Sequence, residues 1–241
     1  MNQHSQYGST LINVEVSVDT IDSAMAVNTL DIQRIELCSA GALGGLTPGP
    51  GLLEVVVERC RNVHVLIRPR AGGFLYTSAE VDVMVGDVAA AVEAGAAGVV
   101  VGALTEQCEV DLPVLTALVA AAQGREVTFH RAIDICRDPV VAVEQLVAGG
   151  VTRVLTSGHA PRVEQGAAGL AELVRVAAGR LDVMACGGIR SHNAKSILAA
   201  TGVTHLHASP RKPVMPSGGI DFGAQPEFDL DEARALVAAV R

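Results

Sequence analysis

The chain has 241 residues, of which 49% are hydrophobic and only 2% aromatic, and its formal net charge is −8. A chain this apolar is not disordered and is long enough for one large core, and the lack of a long basic run argues against nucleic acid as its main partner. No stretch reaches the ~18 uninterrupted apolar residues of a membrane span, and the polar residues 1–10, with no apolar h-region, are expected to form a flexible tail rather than a secretory signal.

Short apolar runs alternate with longer amphipathic ones along the chain. The runs predict strands over residues 11–18, 34–38, 63–67, 98–101, 127–130, 154–156, 181–185 and 205–208, each followed by a helix. After the third strand, Val81, Val85, Val88 and Val92 share one face of a helix over 78–94. The fourth helix shows Leu112, Leu115, Leu118 and Ala122. The fifth opens on Asp138-Pro139, a capping residue before a first-turn proline, and stops at Gly149-Gly150. The seventh starts near 191–193 and ends at Thr201-Gly202, and the last covers about 229–241. Residues 210–228, rich in Gly and Pro, read as a long loop after the eighth strand and a candidate lid.

Eight strand–helix units point to a single-domain α/β fold of the (β/α)8 TIM-barrel type over residues 1–241. The alternative is an open doubly wound sheet, which usually carries a glycine-rich turn after its first strand. Here Asp19-Thr20 follows instead. A weak repeat supports closure. The segments Asp31-Ile-Gln-Arg-Ile-Glu-Leu-Cys38, Gly95-Ala-Ala-Gly-Val-Val-Val-Gly102, Gly150-Val-Thr-Arg-Val-Leu-Thr-Ser157 and Gly202-Val-Thr-His-Leu-His-Ala-Ser209 align without gaps, each entering an even-numbered strand.

Alternation then assigns faces. The fifth repeat position is always apolar (Ile35, Val99, Val154, Leu206) and faces the helices, so Arg34, Glu36, Cys38, His205, His207 and Ser209 point inward. On the odd strands the same rule turns Glu15, Ser17, His64, Leu66, Arg68, Thr128 and His130 inward. So many buried ionisable groups must pair. They form either a structural network of Glu15, Glu36, Arg34 and Arg68 or a ligand site at the strand C-termini, where barrels keep their chemistry. Glycine-rich stretches at that end favour a ligand: Gly41 to Gly45, the loop from Arg68 to Tyr76, Thr156-Ser-Gly158, and Cys186-Gly-Gly-Ile-Arg190. Gly187-Gly188 with Ser209 would suit a phosphate, or simply a tight turn.

Five cysteines, Cys38, Cys60, Cys108, Cys136 and Cys186, with no C-x-x-C pair, predict free thiols and a reducing compartment. Cys38 alone reads as a small buried residue or a soft metal ligand.

The motifs Ile35-Glu-Leu-Cys-Ser39, Gly44-Gly-Leu-Thr-Pro48, Ile67-Arg-Pro-Arg70, Phe129-His-Arg-Ala132 with Asp134, and Leu155-Thr-Ser-Gly158 resemble those of the CutC family, described as copper homeostasis proteins. The resemblance runs from about Val14 to Ser209 and implies a TIM barrel, a cytoplasmic location, homo-oligomers and copper binding as Cu(I). Carried over residue by residue, it places Glu15, Arg34, Glu36, Cys38, Arg68, Arg70, His130, Arg131, Asp134, Thr156, Ser157, Gly158, Gly187 and Gly188 at the mouth. Ser17 stands where the family often has a cysteine, which removes one soft ligand.

Two functions are therefore expected to compete. One is Cu(I) handling through Cys38. The other is an enzyme for a small anionic metabolite, phosphorylated ones included, with His130 or Glu36 as general base. In it Glu15 and Asp134 orient these groups, Arg34, Arg68 and Arg70 hold the anion, and Arg131, Thr156, Ser157, Gly158, Gly187, Gly188 and His207 bind ligand. A pure scaffold would need no arginines at its mouth.

Overall fold

A computed structural model describes residues 11–213 and 226–241. Eight parallel strands close into a barrel in sequence order: β1 (Asn13–Val18), β2 (Arg34–Leu37), β3 (Val63–Leu66), β4 (Gly98–Val101), β5 (Glu126–Phe129), β6 (Arg153–Thr156), β7 (Asp182–Ala185) and β8 (His205–Ala208). Closure is made by β1 against β8, which sets Glu15 opposite His207. Helices α1 (Ile21–Val27), α2 (Pro50–Arg59), α3 (Ser78–Glu93), α4 (Leu112–Ala121), α5 (Pro139–Ala148), α6 (Ala167–Ala177), α7 (Ala194–Thr201) and α8 (Leu230–Val240) ring it. None of the described helices is long and apolar enough to cross a membrane.

The helices start where side chains can satisfy their free amides. Thr20 and Ser23, and Thr77 and Glu80, form reciprocal capping boxes on α1 and α3. Asp111 caps Val114, and Asp138 caps both Val140 and Val141 ahead of a first-turn proline. The stripe of α3 that meets the barrel is Met84, Val88 and Ala91, rather than the valine row, because Val81, Val85 and Val92 sit on its half-buried flanks. Leu112 is likewise exposed, being the first residue of α4, while Leu115, Leu118 and Ala122 are buried. Two 3-10 turns that periodicity does not foretell, Gly41–Leu43 and Arg131–Ile135, follow β2 and β5 at the mouth.

The faces fall as alternation requires. Val14, Val16, Val18, Ile35, Leu37, Val65, Ile67, Val127 and Phe129 belong to one apolar layer between strands and helices. Apart from that layer, the described residues form two small apolar groups, Cys38 with Leu66 and Val100, and Leu155 with Met184 and Cys186. The buried polar residues include Glu15, Arg34, Glu36, His64, Arg68, Thr128, His130 and Arg153. All five cysteines are free.

The expected flexible tail at 1–10 lies outside the described residues, as does the central part of the candidate lid. The ends of that loop are not irregular: β9 (Arg211–Lys212) pairs antiparallel with β10 (Glu227–Phe228), and Arg211 is anchored to Asp19 at 2.7 Å.

Candidate functional site

The strand C-termini surround a cavity of about 480 Å³. Ser17, Glu36, Cys38 and His207 line it from the strands and their ends, Arg68, Phe74, His130, Arg131 and Asp134 from the loops, and Leu43, Ile135, Leu155 and Ser209 are among the other lining residues. The expected residues divide into those that line it and those that do not.

Glu15 and Arg34 lie outside the cavity lining, on paired positions of β1 and β2. The Nε of Arg34 donates to Glu15 Oε2 at 3.1 Å, and its Nη2 contacts the sulfur of Met184 at 3.6 Å. The other Glu15 oxygen meets His207 Nδ1 at 2.7 Å. Burial pushes the Glu15 carboxyl up, but His207 and Arg34 outweigh it and hold the group far below the usual carboxylate range. His207 is shifted the other way: burial disfavours its charge, yet Glu36 and Glu15 together raise it. Glu36 is raised by burial and by the charge of Glu15. Its Oε2 stands 3.9 Å from His207 Nε2, too far for a hydrogen bond. The result is a relay from Glu15 to His207 that ends 3.9 Å short of a carboxyl facing the cavity.

His130 begins the turn after β5. Its Nδ1 accepts the Ala132 amide at 3.1 Å, which places the ring proton on Nε2. Burial and the Arg68 charge drive its pKa down to about 3, so the ring is neutral at pH 7. Arg68 ties two mouth loops together, donating to the carbonyls of Leu43 and Gly45 at 3.0 Å and Gly72 at 2.9 Å.

Other expected ligand holders are committed to the protein itself. Arg70 pairs with Glu80 at 2.5 Å and binds the carbonyls of Gly73 and Leu75. Asp134 accepts from Arg131 Nε, Thr156 Oγ1, the Ser157 amide and hydroxyl, and the His159 amide. That saturation makes it the knot of the loop after β6, with Arg131 reaching on to Ser157 Oγ and Gly158 donating to Thr156. Gly158 has no room for a Cβ, which would lie 2.0 Å from the Gly166 carbonyl oxygen. Gly187 (φ 88°) packs on Ser157 and Gly188 (φ 105°) on Arg162, outside the cavity lining.

The structural network also differs in membership. Arg68 is not in it, and a second cluster lies at the opposite end of the barrel, where Arg153 joins the half-exposed Glu126 at 3.0 Å and Asp182 at 3.3 Å beside His64 and His205. Arg153 occupies the fourth repeat position, as Arg34 and His205 do, so the repeat held the signal for it. Phe74, a rare aromatic within a glycine-rich mouth loop, was the corresponding signal for the cavity side.

Among the described residues the one group with metal-ligand geometry is Glu15, Glu36 and His207, whose donor atoms lie within 4.8 Å of one another. These are oxygen and nitrogen donors. Cys38 stands apart from them: burial lifts its thiol to about 12, and it bonds weakly to Ser17 Oγ and the Val18 carbonyl. A protonated thiol whose polar partners among the described residues are a hydroxyl and a carbonyl does not fit soft Cu(I).

The CutC family model matches residues 12–212. A protein named CutC from Glaesserella parasuis is 43% identical over 83% of both chains, and one from Xanthomonas campestris is 45% identical over 95% of this chain and 96% of its own. The crystal structure of a candidate copper homeostasis protein CutC from Streptococcus agalactiae superposes with a TM-score of 0.78 at 32% identity, covering 82% of this chain and 98% of that one.

Proposed function

The chain belongs to the CutC family, and from that premise we propose that it is an acid–base enzyme acting on a small metabolite held in the mouth of the barrel. The observation that carries this is Glu36, a buried carboxyl of raised pKa facing a cavity and backed by the His207–Glu15 relay. A carboxyl whose pKa is raised holds an abstracted proton better than an ordinary carboxylate does and can still give it back. His207, whose protonated form Glu36 and Glu15 favour, stabilises ionised Glu36 before the proton is taken and again after it is given back. Arg68 adds positive charge at the cavity side, which favours a substrate that is or becomes anionic.

The copper role attached to the family's name is the competing reading, and it rests here on Cys38 alone. The experiment separates them. The protein is incubated in D2O with a panel of small metabolites, and hydrogen–deuterium exchange at carbon is followed by NMR. Exchange that drops by roughly 100-fold or more in Glu36→Gln supports the enzyme. Stoichiometric Cu(I) uptake that disappears in Cys38→Ala, with no exchange on any substrate, would replace it with the copper reading.

A further inference from the structure

Two side chains that line the cavity each keep one buried donor in reserve among the described residues. His130 Nε2 and Arg68 Nε are buried and have no hydrogen-bond partner among the described residues. An unmade buried donor destabilises the fold, and native proteins rarely keep one without a reason. Both groups flank the same ring: His130 stacks on Phe74 with centroids 4.7 Å apart, and the Arg68 guanidinium carbon lies 5.3 Å from the Phe74 centroid.

We infer that His130 and Arg68 form a subsite for a single oxygen atom, and that the substrate is a small aldehyde or ketone whose carbonyl oxygen sits there. This rests on the acid–base reading of Glu36. The chemistry follows from the donors. Glu36 takes the proton from the carbon next to the carbonyl. The C–H electron pair becomes the new C=C bond, and the carbonyl π pair moves onto oxygen. The resulting enolate oxygen is held by the N–H of His130 and the Nε–H of Arg68, and return of the proton to either carbon or oxygen restores a neutral product. No oxidant or reductant is needed.

The site is shaped for one oxygen rather than a phosphoryl group. Three carbonyls already occupy the Nη atoms of Arg68. His130 is neutral and fixed as a donor by the Ala132 amide, so it adds no charge to balance a dianion. Donors preset toward a developing oxyanion, one neutral and one cationic, stabilise the transition state more than the ground state. Leu43, Ile135 and Leu155 supply an apolar side to the same cavity, which suits the carbon skeleton of such a substrate.

The test uses glycolohydroxamate, a mimic of an enediolate, and the whole protein labelled with 15N in its histidine and arginine side chains. The His130 Nε2–H and Arg68 Nε–H resonances are expected to shift together and saturably, and His130→Phe to weaken binding roughly tenfold or more. His130→Gln, which can return a donor to the same place, is expected to recover part of the loss. Resonances that stay still in the wild-type protein overturn the subsite, and this reading does not depend on any variant folding. Displacement of the probe by inorganic phosphate overturns the single-oxygen geometry. Glu36→Gln separates the two proposals. If both hold, it binds the probe and loses exchange. Exchange that survives in that variant overturns the base, whereas a probe that misses His130 overturns the subsite whatever Glu36 does.

Discussion

Gly102 lies directly against the imidazole of His130, and its replacement by alanine tests whether that ring is fixed by packing. A Cβ at position 102 would fall 2.3 Å from Cε1, 2.4 Å from Nδ1 and 2.9 Å from Nε2 of His130. The ring cannot swing away freely, because the Ala132 amide holds Nδ1 and Phe74 covers its face. Overpacking of this kind costs about 1–3 kcal/mol, and loss of the Nδ1 hydrogen bond adds about 1 kcal/mol. For a chain of this length each kcal/mol is worth roughly 2–4 °C, so a total of about 2–4 kcal/mol in Gly102→Ala is expected to lower the melting temperature by roughly 4–16 °C. Gly86→Ala is the control. Gly86 lies exposed within α3 with nothing within 4 Å of an added Cβ, so the change should stabilise the helix by about 0.5–1 kcal/mol. Scanning calorimetry measures both, and the His130 ring resonances report whether the tautomer survives. A Gly102→Ala protein that melts with the wild type and keeps its His130 resonances would refute the packing argument and, with it, the preset donor.

Glu15→Gln leaves the buried Arg34 and His207 without their shared carboxylate and should cost about 3–5 kcal/mol, read from urea unfolding. Low pH acts on His64 and His205, whose burial depresses both pKa values to about 4 despite nearby Glu15 and Glu126, and Asp182, respectively. The unfolded chain therefore takes up these protons first, and their contribution to stability falls as pH drops from about 6.5 toward 4, by up to ~1.4 kcal/mol per pH unit for each. His207, raised, contributes in the opposite sense, so the measurement is the difference between wild type and His64→Gln, whose stability should fall less steeply over that window. An identical slope would show that His64 is not buried neutral. Asp134→Ala strips acceptors from Arg131, Thr156, Ser157 and His159 together. It should speed amide exchange at Ser157 and His159 and cost about 2–3 kcal/mol.

The repeat made the faces of the barrel readable because a strand's two-residue period is a local property. Ile35 and Leu37 had to meet helices if Arg34, Glu36 and Cys38 did not, and no long-range information was needed. The valines of α3 show the limit of the same reasoning. Val81, Val85, Val88 and Val92 share a face, but a helix presents a broad stripe, and Met84 with its longer side chain reaches the strands first. Which part of the stripe is central depends on how the helix is rolled against the barrel, and that is set by its neighbours.

Depth and partnership were not readable for a related reason. Arg34 and Arg68 are both inward arginines, yet the first is paired with Glu15 outside the cavity lining and the second clamps the loops at the mouth. Sequence alternation carries no coordinate along the barrel axis. That coordinate comes from the stagger of closed strands, which here sets Glu15 beside His207 across 192 positions of chain. The consequence for the chemistry is direct. His130 and Glu36 are equivalent candidates for a base as residue types, and only their partners distinguish them. An amide donating to Nδ1 makes His130 a donor, while a charged histidine 3.9 Å from Glu36 leaves a carboxyl free to accept. The division of labour between base and oxygen-binding donor thus arises from what each side chain touches, one loop turn and one barrel seam apart.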